Sequence, residues 1–453
     1  MKNLYGRLWR WHFLAALIVI PFVLWQSVTG TLYLWSEWWM DQAHPELRFV
    51  RPQQHAFPLS EQIQAALKAV HASLAAQVLA AHAATPAASN MAIPHHGIAA
   101  PGLAVQAVLL PENPTRSTTV LFQGPDGLPF PVFVDPYTGD VLGQISPAAW
   151  LPGISRALHG GWPLGEPGSW LLELGDGWAI LMLATGLYLW WPRGRGVAAL
   201  WPRTGAGTRV LLRDLHSCVA AWFSLVFLFF LISALPWTAF WGGKFLSTIE
   251  SNTGQTSPTG FSPGGAPVEQ FANASLPIEQ AVSAARLTGV HGTLDIRLAP
   301  WPGAPLFMTN THVSPSQDRT ILADPKAGAI RGVFANEQLP VIPRLVALGV
   351  HVHQADFGPV NVWLNTAFAS SLIWLSVTGV LSWWKRRPAG TVGAPPKPDA
   401  TTPPAVRAIM LVACLLMPLF GASVVLIGLA ERSVTRLRVT SASARPRDQT
   451  TAR

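Results

Sequence analysis

Charged side chains are scarce in this sequence. Only 12% of its 453 residues are Asp, Glu, Lys or Arg and 50% are hydrophobic, whereas roughly 25% of an ordinary soluble domain is charged. This shortage excludes an ordinary soluble protein. It leaves five apolar runs that meet the roughly 20 residues a helix needs to cross a bilayer. The five predicted spans are Phe13–Ser36, Trp170–Trp191, Leu215–Gly243, Phe357–Trp384 and Ala408–Ala430.

Cysteine is almost absent as well. Cys218 and Cys414 both lie within apolar runs, so the sequence offers neither a disulfide framework nor a cysteine-based metal site. It contains no Cys-x-x-Cys-His sequence for the covalent attachment of a haem. A nucleotide-binding domain is also missing, because the Gly-x-Gly at 194–196 lies in a short Arg-rich loop and follows no predicted strand.

Lysine and arginine are unevenly distributed along the chain. They cluster at the N-terminus, between the second and third spans and after the fourth span, which makes these segments cytoplasmic by the positive-inside rule. The two long loops, 37–169 and 244–356, are therefore expected on the outer side of the membrane. The tail, 431–453, breaks the rule, because it carries six arginines although five spans leave it outside. The net charge of +8 needs no nucleic acid to explain it.

The two long loops repeat one pattern. Asp-Pro-x-x-Gly-x-x-x-Gly occurs at Asp135–Gly143 and again at Asp324–Gly332. Each copy predicts two alternating strands joined at a turn, where proline fixes φ and glycine supplies the left-handed position. Each copy also follows a helical stretch, at 60–82 in the first loop and 277–287 in the second. Both loops are therefore predicted to be small α+β modules.

The spans repeat too. Thr29-Gly30 follows His12 by seventeen and eighteen residues, and Ser233-Ala234 follows His216 at the same offsets. The second and fourth spans both contain Thr-Gly followed by Trp-Trp near their ends. Because the two copies run in the same direction, they predict a pseudo-twofold axis along the membrane normal.

The predicted symmetry brings histidines together in pairs. It places His12 opposite His216 at the cytoplasmic side, and His159 opposite either His351 or His353 at the periplasmic side. Histidines within membrane spans are uncommon and favour a functional role. Two pairs at two depths are what two non-covalent b-type haems need, with one axial imidazole from each half of the chain on each iron. No catalytic acid, base or nucleophile is predicted.

Spacing leaves two candidates for the fourth ligand. Residues two apart on a helix point about 200° apart, so only one of His351 and His353 can ligate from a helical segment. His159 lies 26 residues before Thr185, whereas His351 and His353 lie 27 and 25 residues before Thr378. Both histidines remain candidates on this ground.

Two further groups have alternative interpretations. Glu173 and Asp176 are either acids stabilised near the start of a helix by its dipole, or a proton acceptor or ligand-facing acid near the periplasmic haem. Met91, His95 and His96 are either part of a solvated polar loop or ligands for a soft metal such as copper.

Seven stretches carry a family resemblance: WRWHFLAALIVIPF, FVDPYTGDVLG, LHGGWPLG, GLYLWWPRG, RDLHSCVAAW, ALPWTAFWG and HVHQADFGPVN. Together they are similar to the PepSY-associated transmembrane proteins of bacterial inner membranes, over about residues 5 to 430. The resemblance implies PepSY modules inserted between the spans of a helical bundle. Two departures are Ser233-Ala234 in place of Thr-Gly, and Gln354-Ala355 where a glycine is usual.

The resemblance also implies a cofactor and its ligands. Members of the family include haem-containing reductases associated with ferric-siderophore uptake. Their histidines carry over onto His12, His159, His216 and one of the two remaining candidates. In the family pattern the periplasmic histidine precedes Phe-Gly, which favours His353 over His351.

The leading interpretation is an inner-membrane electron conduit, an oxidoreductase with two b-type haems. Electrons are expected from a quinol in the bilayer or from a cytoplasmic partner, and they pass to a periplasmic acceptor. The resemblance favours Fe(III) in a siderophore as that acceptor. An alternative is a non-redox, membrane-anchored PepSY binding or regulatory module. A siderophore permease is disfavoured, because the spans lack paired intramembrane charges and broken half-helices.

The predicted fold class is a mainly α membrane protein, with about five transmembrane helices in two pseudo-repeats and two periplasmic α+β modules of PepSY type. The spans are expected within 1–36, 159–192, 212–243, 351–384 and 408–430. The modules are expected at 37–158 and 244–350, the cytoplasmic loop at 193–211, the cytoplasmic linker at 385–407 and the basic tail at 431–453.

Overall fold

The computed structural model describes most of the chain. The predicted soft-metal residues Met91, His95 and His96 lie outside the described residues. The described residues are 2–84, 105–124, 127–191, 194–256, 278–298, 306–311, 313–324, 326–391, 393–396 and 402–443.

Among these residues, four helices are long and apolar enough to cross a membrane. They coincide with the first four predicted spans and confirm a multi-pass membrane protein. The first is longer than its apolar run, because the helix continues through a Trp-rich segment after Ser36. The four helices are α1 (Lys2–Ala43), α5 (Glu166–Trp190), α6 (Thr208–Ala234) and α10 (Pro359–Arg386).

The predicted fifth span is divided into two shorter apolar helices. Helix α11 (Pro404–Leu416) ends before Met417, whose φ of −127° and ψ of 82° are not helical. Helix α12 (Pro418–Ser443) begins at the next residue. Proline has no backbone N–H and disfavours the helical conformation in the residue before it, so the apolar run breaks at this point. The predicted fifth span is therefore not one continuous helix.

The described chain forms two compact units. The first unit contains Met1–Leu24, Leu164–Trp241 and Ser371–Arg453, and the second contains Trp25–Pro163 and Gly242–Ser370. Within the first unit, glycines on α5 allow close packing. A Cβ at Gly175 would lie 2.5 Å from the Phe22 ring, and a Cβ at Gly177 would lie 2.6 Å from Phe420. Small residues at such contacts let helices approach closely in a membrane.

The second unit contains one antiparallel sheet of eight strands in the order β4-β3-β2-β1-β5-β6-β7-β8. The strands of the two predicted modules join through β1 and β5, where Val108 pairs with Ile296. Both loops therefore contribute to a single sheet. The strands are β1 (Val105–Leu110), β2 (Thr118–Gln123), β3 (Pro129–Val134), β4 (Val141–Gln144), β5 (Thr293–Leu298), β6 (Leu306–Thr311), β7 (Arg319–Ala323) and β8 (Ile330–Ala335).

Helices α3 (Leu59–Ala84) and α8 (Ile278–Leu287) pack on this sheet. Alternate residues of the strands point to the same face, and those facing the helices are apolar. The largest fully buried side chains of this shared core include Phe122, Leu294, Ile296, Leu306, Met308 and Ile321.

The two repeated turns have the same hydrogen bonds. The N–H of Asp135 donates to the carbonyl five residues later at 2.9 Å, and that of Asp324 does so at 2.7 Å. Each carboxylate also accepts the N–H two residues further along. Gly139 and Gly328 have φ of 75° and 66°, which is the left-handed position that the repeat predicted.

Short helices complete the second unit. Helices α4 and α9 precede α5 and α10 in the chain and carry candidate histidines near their C-terminal ends. The short helices are α2 (Pro45–Arg48), α4 (Leu151–His159), α7 (Ser247–Thr253) and α9 (Val341–Gln354).

Candidate functional site

The imidazole of His12 on α1 packs against α5 in the first unit. Its Nδ1 lies 3.0 Å from the carbonyl oxygen of Met182 and 3.2 Å from the hydroxyl of Thr185. The ring lies over Gly186, where an added Cβ would be 3.0 Å from Cε1 of the histidine. The ring is therefore held by a carbonyl, a threonine and a glycine of one helix.

His216 on α6 is held in the same way by α10. Its Nδ1 lies 3.1 Å from the carbonyl oxygen of Leu375 and 3.1 Å from the hydroxyl of Thr378. A Cβ at Gly379 would lie 3.4 Å from Cε1 of this ring. The Thr-Gly sequence near the end of each of these two spans thus contacts a histidine on another span.

His159, the last residue of α4, has the third such contact, here within the second unit. Its Nδ1 lies 3.0 Å from the hydroxyl of Thr29 and is hydrogen-bonded to the backbone of Gln26 on α1. A Cβ at Gly30 would lie 3.2 Å from its Cε1. Three candidate ligands therefore lie against three Thr-Gly pairs, of which those of α5 and α10 occupy corresponding positions of the sequence repeat.

The direction of these hydrogen bonds fixes the tautomer of each ring. The hydroxyls of Thr29, Thr185 and Thr378 each donate their single proton to the carbonyl four residues earlier, at 2.8 Å. Each hydroxyl oxygen is then an acceptor towards the histidine, and Nδ1 is the donor. The proton lies on Nδ1, so the lone pair of Nε2 points away from the contact. A second nitrogen held by a carbonyl or hydroxyl is the usual arrangement of a metal-ligating histidine.

His159 faces His353 in the second unit. Their ring centroids are 6.1 Å apart and their planes lie at 74°. Two metal–imidazole bonds of about 2 Å, with about 1 Å from each nitrogen to its ring centre, separate the ring centres of a bis-histidine site by about 6 Å. The observed separation therefore matches two imidazoles on opposite sides of one iron. We call His159 and His353 the second-unit pair.

His12 and His216 form the first-unit pair. Both residues lie in the first unit. Among the described residues, no group of three or more His, Cys, Asp or Glu side chains is arranged to hold a bare metal ion. Paired imidazoles instead suit a cofactor that brings its own equatorial ligands, as the porphyrin of a haem does. The donor set and the glycine contacts therefore fit haem.

Burial keeps the second-unit pair uncharged. It lowers the pKa of His159 to about 4 and that of His353 to about 3, and the neighbouring charge of His159 lowers the latter further. Both rings are therefore neutral at pH 7, which is the form of histidine that binds a metal.

His351 has a different environment. Its Nε2 lies 3.1 Å from Oδ2 of Asp318 and its Nδ1 lies 2.9 Å from Oδ2 of Asp356. Burial acts to lower its pKa, but the hydrogen bonds to the two carboxylates outweigh burial and raise it to about 9. Both ring nitrogens then donate protons to carboxylates, and neither offers a lone pair to iron.

Two asparagines of α10 hold the end of α9. Asn365 donates from Nδ2 to the carbonyls of Val352 at 2.8 Å and His353 at 3.1 Å, and Asn361 donates to Val352 at 3.1 Å. Both asparagines are buried. Helix α9 stops at Ala355, which has the left-handed φ of 68°. These contacts fix the backbone from which the His353 side chain extends.

Glu173 and Asp176 are buried in the first unit, with 1% and 4% of their surface exposed. Helix α5 begins at Glu166, so Glu173 lies about two turns and Asp176 about three turns inside it. The helix dipole acts mainly on the first turn and does not account for them.

Sequence interpretation used the Thr-Gly pairs only to measure spacing and missed their contacts with histidine. Their offsets from the histidines do not reveal these contacts, because Thr29 follows His12 by seventeen residues but contacts His159. It also missed Asp318, Asp356, Asn361 and Asn365. The two asparagines are polar residues within an apolar run, and this local feature could have indicated a functional position. Asp318 has none, because it lies in a loop distant in sequence from His351.

A family model described as the PepSY-associated TM region matches residues 9–386. The match covers most of the chain, and the protein therefore belongs to this family. Comparison with curated proteins gives no match.

Proposed function

We propose that this member of the PepSY-associated TM region family is a di-haem electron-transfer protein. One b-type haem is held by His12 and His216 and the other by His159 and His353. The observation that carries the proposal is the second-unit pair, whose rings are separated as two axial ligands of one iron are. The repeated contacts of the Thr-Gly pairs support it, because they present Nε2 of three histidines in one tautomer.

His353 rather than His351 is the fourth ligand in this proposal. His353 is neutral and faces His159, whereas both nitrogens of His351 are engaged by Asp318 and Asp356. The ion pairs of His351 instead connect α9 to the loop before β7, and so they support the backbone that carries His353.

A haem supplies one-electron chemistry when it is bound, while the protein supplies ligation, burial and position. The four histidines would hold the two haems, and the threonines orient three of them, His12, His159 and His216. The surrounding apolar helices exclude water from both pairs. No positioned acid, base or nucleophile is needed to pass a single electron.

The direction of electron transfer follows from the proposed orientation. The Arg-rich loops favour an N-terminus in the cytoplasm and the sheet of the second unit in the periplasm of a bacterial inner membrane. Electrons then enter from a quinol or from a cytoplasmic donor, and they leave at the periplasmic side to a ferric siderophore. Siderophores hold Fe(III) through hard oxygen donors and hold Fe(II) much less tightly, so one electron releases the iron.

The first test is an absorption spectrum of the purified protein, oxidised and dithionite-reduced, with a pyridine haemochrome assay. The expected result is two b-type, low-spin haems per chain. Absence of haem would overturn the proposal and favour a non-redox PepSY binding module.

The second test concerns the acceptor. The reduced protein is mixed with ferric siderophores, and haem reoxidation is followed together with trapping of Fe(II) by ferrozine. Prompt reoxidation with formation of Fe(II) is expected. Haems that stay reduced with every ferric chelate, yet reoxidise with a cupric complex, would reassign the acceptor and leave the conduit intact.

A further inference from the structure

Glu173 and Asp176 form a pair of carboxylates inside a membrane-spanning helix. They are three residues apart on α5, so their side chains lie on the same helix face. Both are buried among apolar groups, with Phe22 packed at Gly175 and Phe420 packed at Gly177. Acidic residues at such positions are costly and mark functional sites more often than structural ones.

One oxygen of Glu173 has a structural partner. Helix α6 ends at Ala234, where Pro236 interrupts it, and the next helical turns begin at Trp241. The first N–H groups of a helix have no acceptors within it and need other partners. Oε2 of Glu173 accepts the Trp241 N–H at 2.8 Å and the Thr238 hydroxyl at 3.0 Å. This oxygen explains why a polar residue is present on the face of α5 that contacts the end of α6.

The remaining oxygens of the pair have no such explanation. Oε1 of Glu173 is fully buried and has no hydrogen-bond partner among the described residues. In the same part of the chain the Asp176 carboxylate has no hydrogen bond either, and no charged group other than the two acids acts on the pair. The elements packed around it contribute Thr238, the Trp241 backbone and phenylalanine rings, none of which compensates a negative charge.

Two adjacent carboxylates in apolar surroundings cannot both remain ionised, because each disfavours the charged form of the other and burial disfavours both. Two ionised carboxylates have no donor, so Glu173 and Asp176 can share a hydrogen bond only when one of them carries a proton. The same proton gives the unpaired carboxylate oxygens a hydrogen-bond donor. The smallest ligand that completes the pair is therefore a proton.

We propose that Glu173 and Asp176 form an intramembrane proton-binding site that takes up a proton when the first-unit haem is reduced. This inference rests on the proposed function. Asp176 precedes Thr185, the contact of His12, by nine residues of α5, which is about 13 Å along the helix. At that range in a poorly polarisable interior, charges still interact.

The uptake balances charge within the first unit. The electron comes from the quinol or cytoplasmic donor and converts Fe(III) to Fe(II), which makes the site more negative by one charge. The acid of the pair that is still ionised in the oxidised protein takes a proton from water and becomes a carboxylic acid, which restores the charge. Reoxidation of the iron releases both the electron and the proton.

Infrared spectroscopy of the full-length protein tests this inference. In the oxidised protein at pH 7 we expect the carbonyl stretch of a buried carboxylic acid, shifted by exchange into D2O. Glu173→Gln and Asp176→Asn are both expected to reduce or remove it. Glu173→Gln keeps an oxygen acceptor for Thr238 and Trp241, and Asp176→Asn loses no hydrogen bond. Glu166→Gln, at the exposed start of the same helix, is the matched control and is expected to leave the band unchanged.

A separate measurement tests whether proton uptake by the pair accompanies reduction of the haem. The reduced-minus-oxidised spectrum is expected to show a gain of carboxylic acid that both buried-pair variants lack and Glu166→Gln retains. A wild-type spectrum without a buried carboxylic acid would overturn the proton site. A band that does not change on reduction would overturn the redox link. Because the spectrum of the oxidised protein needs no haem, failure to find haem would count against the proposed function and leave the proton site tested separately.

Discussion

The imidazole rings of His159 and His353 face each other with their centroids 6.1 Å apart. Their residues lie at the ends of two short helices, α4 and α9, that come from different halves of the chain. Direct contact between two neutral rings gains little, and both are buried where a charge is disfavoured. The spacing is understandable when one metal centre lies between them.

The first prediction separates the two histidines of α9. His353→Ala is expected to remove one of two haems per chain, because it deletes an axial ligand of the second-unit haem. His351→Gln is expected to keep both haems, since glutamine preserves hydrogen bonding to Asp318 or Asp356. Haem per chain is measured by the pyridine haemochrome assay, with His12→Ala as a control that removes the other haem. Loss of a haem in His351→Gln together with full content in His353→Ala would reverse the assignment.

The second prediction concerns Thr185, whose hydroxyl accepts the Nδ1–H of His12. Thr185→Val keeps the shape but removes the acceptor, so the imidazole becomes a weaker donor to iron. Loss of such an outer partner commonly costs 10–100-fold in metal affinity, and we expect about 10-fold here because the Met182 carbonyl remains. Haem titration of the apoprotein measures the change. Thr185→Ser should behave as wild type, and equal weakening by serine and valine would show that the hydrogen bond is not responsible.

Local signals in the sequence predicted the spans and the strands. The first four apolar runs are helices, and Asp135 and Asp324 begin turns with glycine in the left-handed position, because each feature depends on neighbouring residues. The pairing of β1 with β5 was not predicted. The two strands are far apart in sequence. The alternating pattern of each predicts a strand but does not indicate which strand is its partner.

Only the features of the candidate site that follow from the sequence repeat were predicted. Equal offsets between His12 and Thr29, and between His216 and Ser233, indicated paired histidines. The family pattern favoured His353, but the contact of His351 with Asp318 joins residues distant in sequence, and no sequence spacing encodes it. The predicted fifth span is not one continuous helix, because Pro418 disfavours the helical conformation in the residue before it.

The third prediction concerns Ala355, a buried non-glycine residue with φ of 68° at the end of α9. A left-handed conformation costs an L-residue about 1–2 kcal/mol. Glycine avoids this strain, although its greater chain entropy offsets part of the gain. Ala355→Gly is therefore expected to raise the free energy of unfolding by about 1 kcal/mol, measured by denaturant unfolding in detergent. Ala369→Gly, inside α10, is the control and should lower it by about 1 kcal/mol. Destabilisation by Ala355→Gly would show that this backbone is not strained.

The last prediction concerns Gly186 and Gly379, the glycines that contact the rings of His12 and His216. Replacing each with alanine adds a methyl group at a different distance from its ring. A Cβ would lie 3.0 Å from the His12 ring at Gly186 but 3.4 Å from the His216 ring at Gly379. The shorter distance forces the ring to move, whereas the longer one is an ordinary van der Waals contact. Alanine also favours the helix over glycine by about 1 kcal/mol, so neither change should weaken the fold. Gly186→Ala is therefore expected to displace His12 and to weaken or remove one haem, while Gly379→Ala keeps both, as measured by haem content and the low-spin spectrum. Unchanged haem binding in Gly186→Ala, or loss of haem in Gly379→Ala alone, would contradict the proposed position of the rings.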